Sequence, residues 1–229
     1  MSKILIELHH LPCLDYWKTI LEAHNLGKEV ILEANENFNK QSYRNRTYIL
    51  GANGKLALTV PVQKGSQKTL ITEVKIDYSA DWNRQHWQSI KSAYGKSPFF
   101  IHYADFLEPI YENPPVLLWE FNYKLLTICQ KLLRISIPLK QTESFDKEVD
   151  SQILDKRNSV SPKKPAIFAH QEYYQTFGNK FENSLETNEK ESTSSATENK
   201  LNPSTFENNL SILDLLFNEG TNAIRVISG

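Results

Sequence analysis

Cysteine is scarce in this chain of 229 residues: Cys13 and Cys129 stand alone, far apart and in apolar surroundings. That excludes a disulfide framework and a cysteine-built metal centre, and it predicts a protein of a reducing compartment. An excess of either charge is also missing, with 26 Lys and Arg against 27 Asp and Glu. No global field then draws in nucleic acid or a membrane surface, and neither is expected as a partner. No window approaches the roughly 20 apolar residues that a membrane helix needs. Glu7, His9 and His10 interrupt the first apolar run early, so neither membrane insertion nor a secretory leader is expected, and the predicted location is the cytoplasm. There is no Walker-type or GxGxxG motif and no internal repeat. His9 and His10 are adjacent rather than at ligand spacing, so no metal site is expected, and no cofactor either.

What the chain has in quantity is aromatic side chains: four Trp, ten Tyr and eleven Phe. They suit one substantial core and surfaces able to stack on sugars, with Phe99-Phe100 and Tyr173-Tyr174 as candidates. Lys3 to Leu8 is a short apolar run that predicts a buried strand, His9 to Pro12 a turn, and Asp15 to Asn25 a helix closed at Leu26-Gly27. Lys28 to Glu33 predicts a second strand. Strand, helix and strand in this order make two parallel neighbours of a Rossmann-like α/β sheet with flanking helices. The loop after the first strand then lies at the carboxyl edge, where open α/β sheets bind ligands.

Further on, Tyr48 to Leu50, an Asn-Gly turn and Lys55 to Val62 predict a hairpin, and Glu73 to Tyr78 a strand with one wet face. Helices are predicted over 81–94, 99–111 and 116–133, the last packing across the sheet. Residues 1–140 form the α/β domain. The polar stretch 141–165 is expected to be a linker, 166–181 an apolar island, and 182–205 a disordered insertion of Asn, Glu, Ser, Thr and Lys. The segment 206–229 carries a short helix, Leu210 to Phe217, ended by Gly220, and is expected to return to the body.

The densest polar group is Lys40, Gln41, Arg44, Asn45 and Arg46, within seven positions just ahead of the hairpin. Guanidinium forks bind carboxylates and phosphates in two-point fashion, and amides complete such a cradle. A rigid hairpin beside them favours a ligand site over a solvated turn. The expected partner is a small anionic ligand.

Several motifs together resemble the WbqC-like protein family. They are Leu11-Pro12 followed by Tyr16, Asn37-Phe38 with Lys40 and Arg44-Asn45-Arg46, Leu58 to Val62, Trp82 with His86, Tyr94 through Pro98-Phe99-Phe100, and Asn209 to Gly220. The resemblance covers residues 1–135 and the two carboxyl-terminal islands. It implies a role in surface polysaccharide, chiefly lipopolysaccharide O-antigen, biosynthesis, and an aminoacyl (glycine) or acyl transferase acting on a nucleotide- or lipid-linked sugar. The chain departs from the family pattern at Asp15, where a glycine is common, at His9-His10, and in the polar insertion.

On this reading Lys40, Arg44 and Arg46 hold carrier phosphates, Gln41 and Asn45 orient polar groups, and His10 and Tyr16 of the first loop join the substrate-binding set. His86 is the candidate general base, since a near-neutral pKa suits deprotonating an ammonium or hydroxyl. The alternatives are a non-catalytic sugar-binding or scaffold protein of the same pathway and a nucleotidyltransferase-like enzyme. For the latter, the first loop resembles the HxGH region, but His9 and His10 fall too early to take those roles. Cys13, a lone thiol between Pro and Leu, reads as a small buried hydrophobe rather than a nucleophile.

Overall fold

The computed structural model describes residues 2–178 and 206–229. The first apolar run forms β1 (Lys3–Glu7), the amphipathic stretch after it α1 (Leu14–Asn25), and the second run β2 (Glu29–Glu33). Gly27 ends α1 at φ 71°, a left-handed conformation that glycine adopts without a Cβ penalty. The two strands are parallel and in register from Lys3 opposite Glu29 to Glu7 opposite Glu33. That register sets two glutamates side by side at the carboxyl edge.

Two further strands complete this sheet: β5 (Leu139–Gln141) pairs with β2 and β6 (Ile153–Asp155) with β1, both parallel. The order is β5-β2-β1-β6. The expected parallel α/β sheet is therefore present, but the stretch 141–165 is not merely a connection. It supplies the edge strand β6, which at three residues is too short to announce itself by periodicity.

The hairpin β3 (Arg46–Gly51) and β4 (Gly54–Thr59) forms a separate antiparallel pair. Gly51 pairs with Gly54, leaving Ala52 and Asn53 as the two turn residues. Residues 73–78 do not form a full strand. Val74 and Ile76 are buried as the alternation requires, but pairing is limited to isolated bridges, Val62 to Ile76 and Lys75 to Leu117.

Three helices follow, α2 (Trp82–Tyr94), α3 (Phe100–Glu112) and α4 (Leu118–Leu132). The longest of them, α4, packs on α3 and on the tight turn at Ile71–Glu73. Among the described residues no helix is long and apolar enough to cross a membrane.

The carboxyl-terminal segment returns to the body through α5 (Ile212–Glu219) and α6 (Ala223–Ser228). Ile212, Leu213, Leu215, Leu216 and Phe217 are all fully buried. At roughly 1.5–3 kcal/mol per buried side chain of this size, the tail is a piece of the core. Ser211 caps α5, its Oγ accepting from the Leu213 amide. Gly220 ends it at φ 55°, and any Cβ there would overlap the Phe99 ring. Asp15, the departure in the first loop, fastens the tail. Its carboxylate accepts hydrogen bonds from the Ile167 and Phe168 amides, His170 Nε2 and Asn209 Nδ2. The insertion predicted to be disordered, 182–205, lies outside the described residues.

Candidate ligand cavity at the carboxyl edge of the sheet

From β1 the chain moves to β2 and then β5 on one side, and β6 is added on the other side of β1. The crevice outside the carboxyl ends of strands at such a reversal is where open α/β sheets bind ligands. A cavity of about 610 Å³ lies there, lined by Asn35, Glu36, Asn37, Asn39, Arg44, Leu70, Phe145, Lys147, Asp155, Arg157 and Asn158. That volume falls within the range of small-molecule sites, about 300–1,000 Å³.

Each wall of the cavity is built where a strand ends. Behind β1, Glu7 accepts hydrogen bonds from His9 Nε2 at 3.0 Å and from the Asn158 amide at 2.9 Å, with the Arg44 guanidinium 3.8 Å away. Burial alone would raise the Glu7 carboxyl. The bond from His9 and the charge of Arg44 outweigh it and hold Glu7 below the usual range. Burial pushes the His9 imidazole down, so it stays neutral and donates through Nε2. After β2, Glu33 accepts from the Asn35 amide at 3.0 Å, from Thr142 Oγ1 at 2.7 Å and from Arg157 at 3.0 Å. Arg157 also grips Asp155 at the end of β6, at 2.7 Å, and donates to the Asp146 carbonyl at 2.8 Å.

Arg44 is buried and donates through Nε and Nη2 to the two oxygens of Glu36, at 2.6 and 2.5 Å, and to Asn158 Oδ1 at 3.1 Å. Burial opposes its charge, but Glu36, Glu7 and Glu33 together raise its pKa and keep it protonated. Burial also lifts the Glu36 carboxyl despite that guanidinium. The wall is thus highly polar and its charges are internally matched.

Of the residues singled out in the sequence, Arg44 lines this cavity, and its fork is already engaged by Glu36. Lys40 and Gln41 are exposed, Gln41 at φ 57°. The Asn45 side chain is buried and donates to the Val60 carbonyl, and Arg46 donates through Nε to Thr59 Oγ1, so both brace the hairpin. Tyr16 is buried beneath the His9 ring, 4.7 Å between centroids, with its hydroxyl pKa pushed well up by burial.

The structure brings His10 and His86 together, at 6.2 Å between ring centroids, in an aromatic nest with Trp82, Tyr111 and Phe121 away from the cavity wall. Asn122 Nδ2 donates to the Arg44 carbonyl, so its oxygen faces His10 Nδ1 at 3.1 Å and fixes that nitrogen as the protonated one. Burial lowers the imidazole pKa to about 3 for His10 and about 4 for His86, and both rings are neutral at pH 7. Burial likewise pushes the Cys13 thiol up to about 12, as suits an inert side chain.

The candidate stacking surfaces are packed away or lie elsewhere. Phe100 sits 5.1 Å from the Phe217 ring, Phe99 is stacked on Tyr103, and the Tyr173 hydroxyl donates to buried Asp214. Tyr174 is exposed but is not a lining residue of the cavity. Asp155, Arg157, Asn158 and Phe145 were beyond sequence reasoning, because 141–165 has no apolar period. The one available signal was the polar run Asp155-Lys156-Arg157-Asn158 directly after the apolar pair Ile153-Leu154. Among the described residues no group of three or more His, Cys, Asp or Glu is placed to hold a metal ion.

A parallel sheet with a polar cavity over the strand-order reversal defines the class: an α/β protein with a polar crevice at its carboxyl edge. The chain belongs to the WbqC-like protein family, whose model matches residues 9–226. It is 30% identical over 149 residues to the uncharacterized protein Rv1507c of Mycobacterium tuberculosis (strain ATCC 25618 / H37Rv), covering 64% of this chain and 62% of that protein. The match thus spans less than two thirds of the relative's length. No solved structure matches the chain.

Proposed function

We propose that this WbqC-like protein acts in surface polysaccharide biosynthesis as a transferase, moving an aminoacyl or acyl group to a nucleotide- or lipid-linked sugar held in the carboxyl-edge cavity. The observation that carries the reading is the lining itself. Four amide side chains, Asn35, Asn37, Asn39 and Asn158, stand among the carboxylates of Glu36 and Asp155 and the cations Arg44, Arg157 and Lys147. Planar groups with several donors and acceptors match the vicinal hydroxyls of a sugar. The matched wall charges suit a polyhydroxylated ring better than a bare phosphate. In this reading Arg44 holds the wall in shape through Glu36 and Asn158. Lys147, an exposed cation of the lining, is available to a carrier phosphate. His86, the base suggested by the sequence, is buried outside the wall with its pKa pulled down to about 4, so this reading assigns it no proton transfer to a ligand held there.

A second reading, a non-catalytic sugar-binding protein of the same pathway, is favoured by the internal pairing of the charged wall groups and by the burial of His86 outside the wall.

Thermal unfolding of the full chain with nucleotide sugars, acyl carriers and amino acids tests the proposal. A ligand at a hundred times its Kd stabilises the folded state by about 2.7 kcal/mol. At least one nucleotide sugar should raise the unfolding temperature, and an acyl or aminoacyl donor incubated with it should yield an acylated sugar. No shift with any sugar-bearing ligand overturns the proposal. A shift without turnover establishes the binding protein instead.

A further inference from the structure

One aromatic ring, Phe145, stands among the polar residues that line the cavity. Phe145 lies on the loop between β5 and β6, is 51% exposed, and lines the polar cavity. A single exposed apolar side chain is ordinary on a protein surface and carries nothing alone. Here the ring is braced. The Arg157 guanidinium carbon lies 5.1 Å from its centroid, covering one face. Arg157 is fixed in turn by Asp155 at 2.7 Å and Glu33 at 3.0 Å, and holds the Phe145 loop through the Asp146 carbonyl at 2.8 Å. Its side chain is only 8% exposed. The loop is tied at its root too, with Thr142 Oγ1 donating to Glu33 at 2.7 Å. The exposure of Phe145 therefore belongs to its edge and to the face turned away from Arg157.

We infer that Phe145 is the stacking platform of the cavity, receiving the C–H face of a pyranose whose hydroxyls are met by the surrounding amides and carboxylates. The inference rests on the reading of the cavity as a sugar site and adds the ring that selects the substrate class. A pyranose with several axial C–H bonds on one side presents an apolar face with polar groups around its rim. A flat aromatic ring in a wall of Asn, Asp and Glu side chains is the complement of that shape, and its electron-rich face attracts polarised C–H groups. The guanidinium behind it holds the ring at a fixed tilt through the cation–π contact. Arg157 is then a positioning residue: its donors are taken by Asp155, Glu33 and the loop carbonyl, and it acts on the ligand through the ring.

The test is binding of UDP-linked hexoses and N-acetylhexosamines, with UDP alone as the comparison, to the full chain and to Phe145→Ala, Phe145→Leu and Phe145→Trp, by calorimetry and thermal shift. Phe145 is half-exposed, so all three variants should unfold at the wild-type temperature without ligand. The expected result is that a UDP-sugar binds wild type more tightly than UDP does. Phe145→Ala and Phe145→Leu should lose roughly ten-fold in affinity for it while binding UDP as before. Phe145→Trp should keep or improve the affinity, and Arg157→Lys should show an intermediate loss. Equal affinity of wild type and Phe145→Ala for a UDP-sugar overturns the platform and leaves the sugar site standing. An equal loss for UDP and the UDP-sugar in Phe145→Ala overturns it as well, since the ring would then serve the nucleotide. Failure of every sugar-bearing ligand to bind wild type overturns the sugar reading, and the platform with it.

Discussion

At the carboxyl edge of the sheet the buried carboxylates of Glu7, Glu33 and Glu36 are met by guanidinium groups. At the tail, buried Asp214 is met by neutral donors, the Tyr173 hydroxyl at 2.6 Å and Gln175 Nε2 at 3.0 Å. The consequences for proton affinity are opposite. Glu7 is held below the usual carboxyl range, where Asp214 is pushed by burial up to about 6, its hydroxyl and amide bonds offsetting only part of the desolvation. Burial raises both groups, and at Glu7 the hydrogen bond from His9 and the positive charge of Arg44 outweigh it. Glu7 is thus held ionised near neutrality, whereas the tail lock gives up stability as it ionises.

The sharpest way to break the cavity side is to remove its central cation. Arg44→Ala takes the hydrogen-bonded cation from buried Glu36 and the nearby positive charge from Glu7, and should lower the unfolding free energy by roughly 3–5 kcal/mol, measured by urea denaturation at pH 7. A loss below about 1 kcal/mol would mean that water already solvates this wall.

The tail side makes a prediction in pH. Asp214 binds its proton more tightly folded than unfolded. Its contribution to stability is therefore whole below pH 3.8 and is lost as the pH rises to about 6. Relative to Asp214→Asn, wild type should lose roughly 3 kcal/mol between pH 4 and pH 7. Parallel stability curves for the two proteins would remove the contrast. Glu7 runs the other way: its contribution is present above the ordinary carboxyl range and is lost as pH falls through its depressed folded value.

The smallest effect is expected at Asp15, whose partners include backbone amides. Asp15→Asn keeps one accepting oxygen and should cost roughly 1–2 kcal/mol. Hydrogen exchange should quicken at the Ile167 and Phe168 amides, which donate to the carboxylate. Unchanged exchange there would show that the tail is held by α5 alone.

How far the sequence reached follows from how local each feature is. Lys3–Glu7, Glu29–Glu33 and α1 are set by runs of apolar residues and a glycine stop, and they fold as read. The tail helix is likewise carried by its own dense apolar face and a Ser211 cap. β5 and β6 have three residues each and exist only because the sheet receives them, so no periodicity marked them. Arg44 drew attention for its company of Lys, Gln and Asn. Its partners proved to be Glu36, eight residues earlier, and Asn158, 114 residues later, and the second of these is invisible to local patterning. His86 was conspicuous beside its tryptophans, and those same rings bury it and pull its pKa to about 4.

Hydrogen–deuterium exchange of the full chain, with and without the nucleotide sugar that stabilises it most, tests the central claim most directly. The carboxyl-edge cavity predicts slower exchange in three segments that, with Leu70, line it, 35–44, 145–147 and 155–158, with little change along α2 and α3. Protection confined to the helices around His86, with those three segments unaffected, would contradict it.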